Sequence, residues 1–265
     1  MVKSVRYPRV IPCAIYAPGR CISQLAITVE NVPGALAEVS SKMAEHEINL
    51  LTGLIMAEPE APSGTIIVFL DLTEADVDLA GLISELGDLD VVLDVEETVK
   101  KIGDMAVDGT TNATTFLGER VVILDIEDIG AMLGWLIETF SSGGNAILFD
   151  MGKKAGSSAA RKLRESYGLS GRELVETFLS LQVAAGWFSY EVSLGEEGMI
   201  SSIRLYENFE CLPLSRRSKK PVSQLVRGAL AGVLEEAYGR RFDVVEVKCL
   251  AKGDEYCEFL VRPSR

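Results

Sequence analysis

Residues 24–36 read QLAITVENVPGAL, and this stretch decides the fold of the N-terminal part of the chain. Apolar and polar residues alternate over 24–30, a pattern that predicts a β-strand. A turn with a helix-start signature follows, because Pro33 fits an early helix position and Gly34 accepts backbone angles that other residues avoid. Apolar residues then recur at helical spacing. The stretch therefore predicts a strand, a turn and a helix in immediate succession.

The pattern continues on the C-terminal side of this stretch. It predicts a helix over 35–46, strands over 48–56 and 65–72, a helix over 74–86 capped by Thr73, and a strand over 90–95. The order is β-α-β-β-α-β. Such a ferredoxin-like unit folds as an antiparallel sheet with both helices on one face.

This element order, with Asn31-Val32-Pro33-Gly34-Ala35-Leu36 at the first turn, resembles the ACT family over residues 22–98. ACT domains are regulatory modules that bind amino acids or other small molecules, usually across a domain–domain interface. The resemblance implies ligand binding by Asn31, Val32, Pro33, Gly34, Ala35 and Leu36. Free N–H groups at a helix start can hold a carboxylate. From these residues alone, a plain turn and helix cap remains the alternative.

The rest of the chain predicts a second domain of mixed α/β type. We expect a short strand over 120–124, helices over 125–140, 150–167, 171–185 and 221–238, a buried strand over 146–149, and strand pairs 187–194 with 200–209 and 242–249 with 256–261. Ser170 and Glu173 have the spacing of a capping box. The predicted organisation is an N-terminal arm (1–21), an ACT-like domain (22–98), a linker (99–118) and the second domain (119–265), in the α/β (α+β) class.

Two C-terminal stretches, RGALAG at 227–232 and EVKCLAKGDEYCEF at 246–259, are similar to the 4-vinyl-reductase domain family. A weaker similarity reaches back to about residue 120. This family shares its fold with transport protein particle subunits and with the aromatic-sensing domains of phenol-responsive regulators, and the resemblance implies an archaeal or bacterial protein. The resemblance implies a small-molecule pocket. In the sensor relatives, three cysteines and a glutamate hold a structural zinc near that pocket.

The family pattern transfers to Glu246, Cys249 and Cys257. The remaining family cysteine falls on Ser223, which leaves one ligand position vacant. Cys211, 12 residues earlier in the chain, fills the vacancy if the loop after it folds back. The resemblance thus implies a structural zinc on Cys211, Glu246, Cys249 and Cys257.

The local geometry supports the pairing of two of these cysteines. A hairpin centred on Gly253 places Cys249 opposite Cys257, with Cβ atoms about 4.5–5.5 Å apart. Two thiolates on one tetrahedral zinc fit that spacing. Glu246 points to the other face of an ideal strand and joins the site only if the strand ends or bulges near Lys248. Two buried reduced thiols and a disulfide remain alternatives.

The composition limits the classes of partner and the compartment. A net charge of −13 disfavours direct nucleic-acid binding. No signal pattern and no apolar run of the roughly 18 residues of a membrane span are visible. We therefore expect a cytoplasmic protein whose five cysteines stay reduced.

The single histidine, His46, argues against catalysis by side chains. It falls at the polar end of a predicted helix, where a solvated side chain is expected. No Ser/His/Asp set is plausible with one histidine, and the Walker and GxGxxG patterns are absent. We do not expect an enzyme with chemistry of its own.

Two further groups of residues have plain interpretations. Trp135, Phe140, Trp187, Phe188 and Tyr190 are expected in the core or as pocket lining. The basic run at 215–220 is expected to be a solvated loop.

These features together predict a small-molecule-sensing regulatory protein. An aromatic or other apolar compound would occupy the C-terminal pocket, an amino acid the ACT-like domain, and a homodimer is expected because both families commonly dimerise. The alternatives are an enzyme or accessory protein of tetrapyrrole or aromatic metabolism, and a non-catalytic scaffold.

Overall fold

A computed structural model describes residues 9–110, 113–195, 198–214 and 218–264. Residues 1–8 of the expected arm and 215–217 of the basic run lie outside these ranges. The chain is a mixed α/β protein that divides into two compact units, Met1–Val122 and Ile123–Arg265. No helix within the described ranges is long and apolar enough to cross a membrane.

The N-terminal unit has nine strands and two helices within the described ranges. They are β1 (Ala14–Tyr16), β2 (Ile22–Glu30), α1 (Ala35–Glu45), β3 (Asn49–Met56), β4 (Ser63–Asp71), α2 (Leu79–Gly87), β5 (Val92–Glu97), β6 (Lys100–Ile102), β7 (Met105–Val107), β8 (Thr114–Phe116) and β9 (Glu119–Val121). Four of the strands form an antiparallel sheet in the order β3-β4-β2-β5. The predicted βαββαβ arrangement is confirmed.

The main sheet of this unit is covered on both faces. Leu25 and Ile27 of β2 pack with Val39 of α1 and Leu82 of α2 in one core cluster. A second cluster joins Phe69 on β4 to Ala106 on β7, which belongs to a three-stranded sheet of order β1-β7-β6. The stretches expected to be an irregular arm and a linker therefore contribute strands. Strands β1, β6 and β7 have three residues each, which is too short for an alternating sequence pattern to reveal them.

The start of α2 differs from the prediction. The helix begins at Leu79, and Asp78 rather than Thr73 caps it by accepting a hydrogen bond from the Gly81 N–H at 2.7 Å. The Thr73 hydroxyl donates to Asp71 and accepts from the Cys21 N–H at 2.9 Å. Thr73 therefore serves a turn, and the helix starts later in the chain.

The C-terminal unit has four α-helices and four strands within the described ranges. They are α3 (Ile126–Phe140), α4 (Ser142–Tyr167), α5 (Gly171–Ala184), β10 (Ser189–Leu194), β11 (Ile200–Tyr206), α6 (Gln224–Tyr238), β12 (Phe242–Lys248) and β13 (Cys257–Pro263). The strands form an antiparallel sheet in the order β10-β11-β13-β12. The core lies between the sheet and the helices and includes Phe259, Ile203, Leu174 and Leu230.

Two local predictions in this unit are wrong. Residues 146–149 form part of α4 instead of a buried strand. The capping box does not form, since the Ser170 side chain makes no cap hydrogen bond to α5. A run of four apolar residues fits a strand and a buried helix equally well, and packing on neighbouring helices decides between them.

Helices α4 and α6 approach each other with their backbones nearly in contact. A methyl group added at Gly156 would lie 2.8 Å from the Cα of Ala229. One added at Gly228 would lie 2.9 Å from the backbone nitrogen of Lys153. Real side chains keep longer distances than these, so only glycine fits at the crossing. This crossing orients α6, whose first residue follows Ser223.

Candidate metal centre

Two segments that are distant in sequence, the turn after β11 and the β12–β13 hairpin, meet at one end of the C-terminal sheet. Cys211 lies in the turn after β11, and Glu246 lies on β12. Cys249 follows β12, and Cys257 begins β13. One ligand atom from each of these four buried residues lies within 4.8 Å of the others. This cluster, the Cys211–Glu246–Cys249–Cys257 cluster, can hold a metal ion.

The spacing of the sulfurs suits tetrahedral coordination. The Cys211 Sγ lies 3.5 Å from the Cys249 Sγ and 3.6 Å from the Cys257 Sγ. Metal–sulfur bonds of about 2.3 Å at a tetrahedral zinc place two sulfurs roughly 3.8 Å apart. The cysteines therefore need to move little to share one ion.

A bulge brings Glu246 to the same side as the cysteines. Glu246 pairs with Phe259 and Lys248 pairs with Glu258, so the register of β12 against β13 shifts between these residues. A bulge adds a residue to one strand and re-aims the side chains beside it. The Glu246 carboxylate consequently reaches the cluster although it is three residues from Cys249.

Cys211 lies beside Ser223, the position where the family pattern has its remaining cysteine. The Cys211 Sγ lies 2.9 Å from the hydroxyl of Ser223, and Ser223 is fully buried. Ser223 donates through its hydroxyl to the Glu246 Oε1 at 2.7 Å. Ser223 therefore lies directly beside Cys211 and contacts the Cys211–Glu246–Cys249–Cys257 cluster.

Four acidic groups at this separation cannot all ionise without a cation. Hydrogen bonding to Cys211 and Cys257 lowers the pKa of Cys249 below its usual range. The same bond to Cys249 raises the pKa of Cys211. For Cys257, bonding to Cys211 lowers the pKa, but bonding to Cys249 and burial outweigh it and raise it to about 12. Burial, together with the charge of Cys249, raises the pKa of Glu246 to about 8.

Two buried polar residues beside the cluster were missed by the sequence analysis. The Asn208 Nδ2 lies 3.6 Å from the Cys211 Sγ, 3.5 Å from the Cys257 Sγ and 3.0 Å from the Ser223 Oγ. The Glu210 carboxylate accepts the N–H groups of Leu225 and Val226 at the start of α6, and burial raises its pKa to about 7. No local sequence pattern marks either residue, because their partners lie in distant segments of the chain.

The predicted ligand turn lies at the start of α1. Gly34 has φ +102°, a left-handed conformation that favours glycine. The Asn31 Nδ2 donates to the carbonyl oxygens of Glu58 at 3.1 Å and Ala61 at 3.0 Å. Its amide therefore holds the loop between β3 and β4. Val32 and Leu36 are exposed, Ala35 is buried, and Pro33 completes the turn.

The expectation of a solvated His46 is wrong. The His46 Nδ1 lies 2.7 Å from the Asp76 Oδ1, and its Nε2 lies 2.8 Å from the Glu85 Oε2. Both ring nitrogens face carboxylates, so the doubly protonated ring satisfies both contacts. Hydrogen bonds to Glu85 and Asp76 raise the pKa of His46 above its usual 6.5. The ring links the end of α1 to α2.

Each unit has an open pocket. In the C-terminal unit a pocket of about 610 Å³ follows one side of α5 and includes Thr177, Leu181 and Tyr190. In the N-terminal unit an apolar cleft of about 200 Å³ lies between α1 and β3.

The five aromatic residues expected in the core or a pocket lie in different places. Phe188 is buried and Tyr190 lines the α5 pocket. Trp187 packs against the core. Trp135 and Phe140 are 62% and 50% exposed, so the expectation is wrong for these two.

Comparison with known proteins identifies the C-terminal part. Residues 202–263 match the domain model of the 4-vinyl-reductase family. The chain is 32% identical over 124 residues to the uncharacterized protein MJ0150 of Methanocaldococcus jannaschii, a match that covers 47% of this chain and 68% of that protein. The predicted 4-vinyl-reductase resemblance is therefore confirmed for the C-terminus, whereas the ACT identity of the N-terminal unit stays a prediction.

Two solved structures were found with partial similarity to this chain. The phenol-responsive sensory domain of the transcription activator PoxR with phenol is 21% identical, with a TM-score of 0.48, over 56% of this chain and 79% of that one. A vinyl-4-reductase family protein from Methanocaldococcus jannaschii is 18% identical, with a TM-score of 0.39, over 55% of this chain and 85% of that one.

Proposed function

The chain belongs to the same family as MJ0150 of Methanocaldococcus jannaschii, and we propose that it is a small-molecule-sensing regulatory protein. A structural zinc would hold together its C-terminal unit, which contains the 4-vinyl-reductase domain. The observation that carries the proposal is the buried Cys211–Glu246–Cys249–Cys257 cluster. It supports a C-terminal unit in which a metal ion stabilises the fold of a binding module.

Zinc suits this ligand set better than the other common divalent ions. Three thiolates and one carboxylate are ligands that zinc takes in tetrahedral sites. Four protein ligands leave no position for a water molecule, so the ion would serve structure. The thiols must stay reduced to bind it, which agrees with a cytoplasmic location.

Metal analysis of purified protein tests this part of the proposal. We expect about one zinc per chain in protein never exposed to chelator, and none in a variant with Cys249→Ser and Cys257→Ser. The matched control is Cys13→Ser with Cys21→Ser, since these two cysteines are exposed and lie outside the cluster. Wild-type protein without metal would remove the zinc.

The pocket beside α5 is our proposed ligand site of the C-terminal unit. Arg172, Glu176 and Ser180 supply polar groups, while Leu181 and Tyr190 supply apolar and aromatic surface. A few polar groups on an apolar lining are typical of small-molecule sites. Helix α5 packs against α6, which begins at the metal cluster. Occupancy by an aromatic or other apolar compound would thus be transmitted through α5 and α6 to a partner protein.

The N-terminal unit is proposed to bind an amino acid at the turn formed by Asn31, Val32, Pro33, Gly34, Ala35 and Leu36. The support is the position of this turn at the start of α1, where backbone N–H groups favour a carboxylate. Because the Asn31 amide is engaged with the β3–β4 loop, recognition would rest on the backbone.

A ligand screen separates sensing from the alternatives. A compound at 100 times its dissociation constant stabilises the unit that binds it by about 2.7 kcal/mol. We expect aromatic compounds to stabilise the C-terminal unit, and Thr177→Trp, which places an indole in the pocket, to weaken this effect. Ser193→Trp on exposed β10 is the control. Turnover of a vinyl-bearing porphyrin would favour the enzyme, and no response to any ligand would favour the scaffold.

A homodimer is proposed through the exposed face of α3. Met132, Trp135 and Phe140 are all at least half exposed, and Ile147 and Met151 of α4 are exposed as well. Interface centres are enriched in aromatic residues and methionine. Light scattering should give twice the chain mass of 28.7 kDa and the monomer mass for Trp135→Lys. Leu93→Lys, at an exposed apolar residue of β5, is the control; a wild-type monomer contradicts the proposal.

A further inference from the structure

The four ligands of the cluster leave an electrostatic problem that a divalent cation does not solve. Four ionised ligands carry four negative charges, and a divalent ion neutralises two of them. The remaining charge is buried, and burying an uncompensated charge is costly. Donors directed at the sulfur and carboxylate atoms are therefore needed around the ion.

Ser223 supplies two such donors to a single ligand. Its backbone N–H donates to the Glu246 Oε2 at 3.1 Å, and its hydroxyl donates to the Oε1 at 2.7 Å. Both carboxylate oxygens are thus held from one residue, which sets the plane of the carboxylate. A hydroxyl has one hydrogen, and Ser223 gives it to Glu246, so that hydrogen is not available for the 2.9 Å contact with the Cys211 Sγ.

Asn208 supplies donors to the sulfurs. Its Nδ2 is within reach of the Cys211 and Cys257 sulfurs and of the Ser223 hydroxyl oxygen. The turn itself fixes the amide, because the Asn208 Oδ1 accepts the Glu210 N–H at 3.3 Å. Asn208 and Ser223 are both fully buried, and hydrogen bonds to ionised acceptors are the stronger kind.

We propose that Ser223 and Asn208 are positioning residues of the metal centre. Ser223 fixes the orientation of Glu246, and Asn208 stabilises the thiolates of Cys211 and Cys257. This inference rests on the proposed metal centre and extends it to two neutral residues that do not bind the ion. Partners of this kind orient metal ligands, and losing one typically weakens metal binding about 10–100-fold.

Cobalt binding tests the proposal without any assay of activity. Sulfur-to-cobalt charge-transfer absorption reports the thiolates on the ion, ligand-field bands report its geometry, and competition with a chelator gives the affinity. We expect Ser223→Ala and Asn208→Ala each to weaken cobalt binding by about 10–100-fold while three-thiolate absorption is retained. Ser223→Thr keeps the hydroxyl and should bind as the wild type does. Ser157→Ala, on α4 away from the cluster, is the matched serine control.

A double-mutant cycle separates positioning from a general loss of stability. If Ser223 acts through Glu246, then Ser223→Ala adds little to the loss caused by Glu246→Gln. Full affinity in Ser223→Ala, or losses that simply multiply in the double variant, overturns the role of Ser223 and leaves the metal centre standing. Full affinity in Asn208→Ala overturns the role of Asn208. Wild-type protein that binds neither cobalt nor zinc overturns this inference and the metal centre together.

Discussion

The close crossing of α4 and α6 makes Gly156 the residue whose enlargement should damage the C-terminal unit most clearly. In Gly156→Ala the new methyl lies 2.8 Å from both the Cα and the carbonyl carbon of Ala229, whereas carbon atoms in contact prefer about 3.5–4.0 Å. The helices must separate by roughly 0.7 Å or more, and a gap of that size forfeits about a quarter to a half of the dispersion energy across it.

The expected loss can be bounded. Overpacking of a filled core costs about 1–3 kcal/mol, and more is expected here because backbone atoms cannot rotate away. Alanine regains about 1 kcal/mol through its higher helix propensity. We therefore expect Gly156→Ala to lower the free energy of unfolding by about 2 kcal/mol. Gly156→Leu should prevent folding of the unit.

Urea unfolding followed by tryptophan fluorescence is the measurement. Both tryptophans, Trp135 and Trp187, lie in the C-terminal unit, so the signal reports that unit alone. Gly134→Ala is the control, since an added methyl there meets nothing within 4 Å and should raise stability by up to about 1 kcal/mol. Equal midpoints for the two alanine variants would refute the role of the crossing.

Two further predictions concern the N-terminal unit. Because His46 is the single histidine, its pKa can be measured by NMR titration without overlap from other imidazoles. We expect this pKa to lie above 6.5, because Glu85 and Asp76 face the two ring nitrogens, and to fall in Glu85→Gln. Because the pKa of His46 is raised in the folded state, its contacts with the two carboxylates contribute their full stabilisation below pH 6.5. This contribution to the free energy of unfolding is lost as the pH rises through the folded pKa. A measured pKa of 6.5 or lower would contradict the two contacts. Asn31→Ala should speed amide exchange across residues 57–62 and lower stability by about 1 kcal/mol, whereas unchanged exchange would mean that its two hydrogen bonds do not hold the loop.

Regular periodicity made most of the N-terminal unit predictable. The strands around residues 24–30 and 65–72 were found because their alternating or apolar patterns span the whole element, and β2 and β4 pair along their whole length. The short strands β1 and β7 gave no such signal, and they form where β1 pairs with β7 and β7 pairs with β6. Tertiary pairing, not local pattern, creates them.

Some residues of the candidate metal centre could likewise be predicted from local spacing in the sequence, and others could not. Glu246, Cys249 and Cys257 fall within one hairpin, so their spacing in the sequence carries the geometry. Cys211 is 38 residues from Cys249, and only the fold of the turn after β11 brings it near. Asn208 was invisible for a related reason, because nothing local marks an asparagine that contacts side chains of distant segments.

Cys211 also changes what a bound ion would do for the fold. An ion held by the hairpin residues alone would restrain a short loop. With Cys211 as a ligand, the ion also closes a loop of 38 residues to Cys249 and a loop of 46 residues to Cys257. Longer closed loops remove more entropy from the unfolded chain. The turn that carries Cys211 also holds Asn208 and Glu210, and Glu210 binds the first N–H groups of α6. Metal removal should therefore raise hydrogen exchange first in residues 208–214 and at the start of α6. The glycine crossing of α4 and α6 does not depend on the ion and should keep its protection. Uniform loss of protection across the unit would show that the two regions unfold as one.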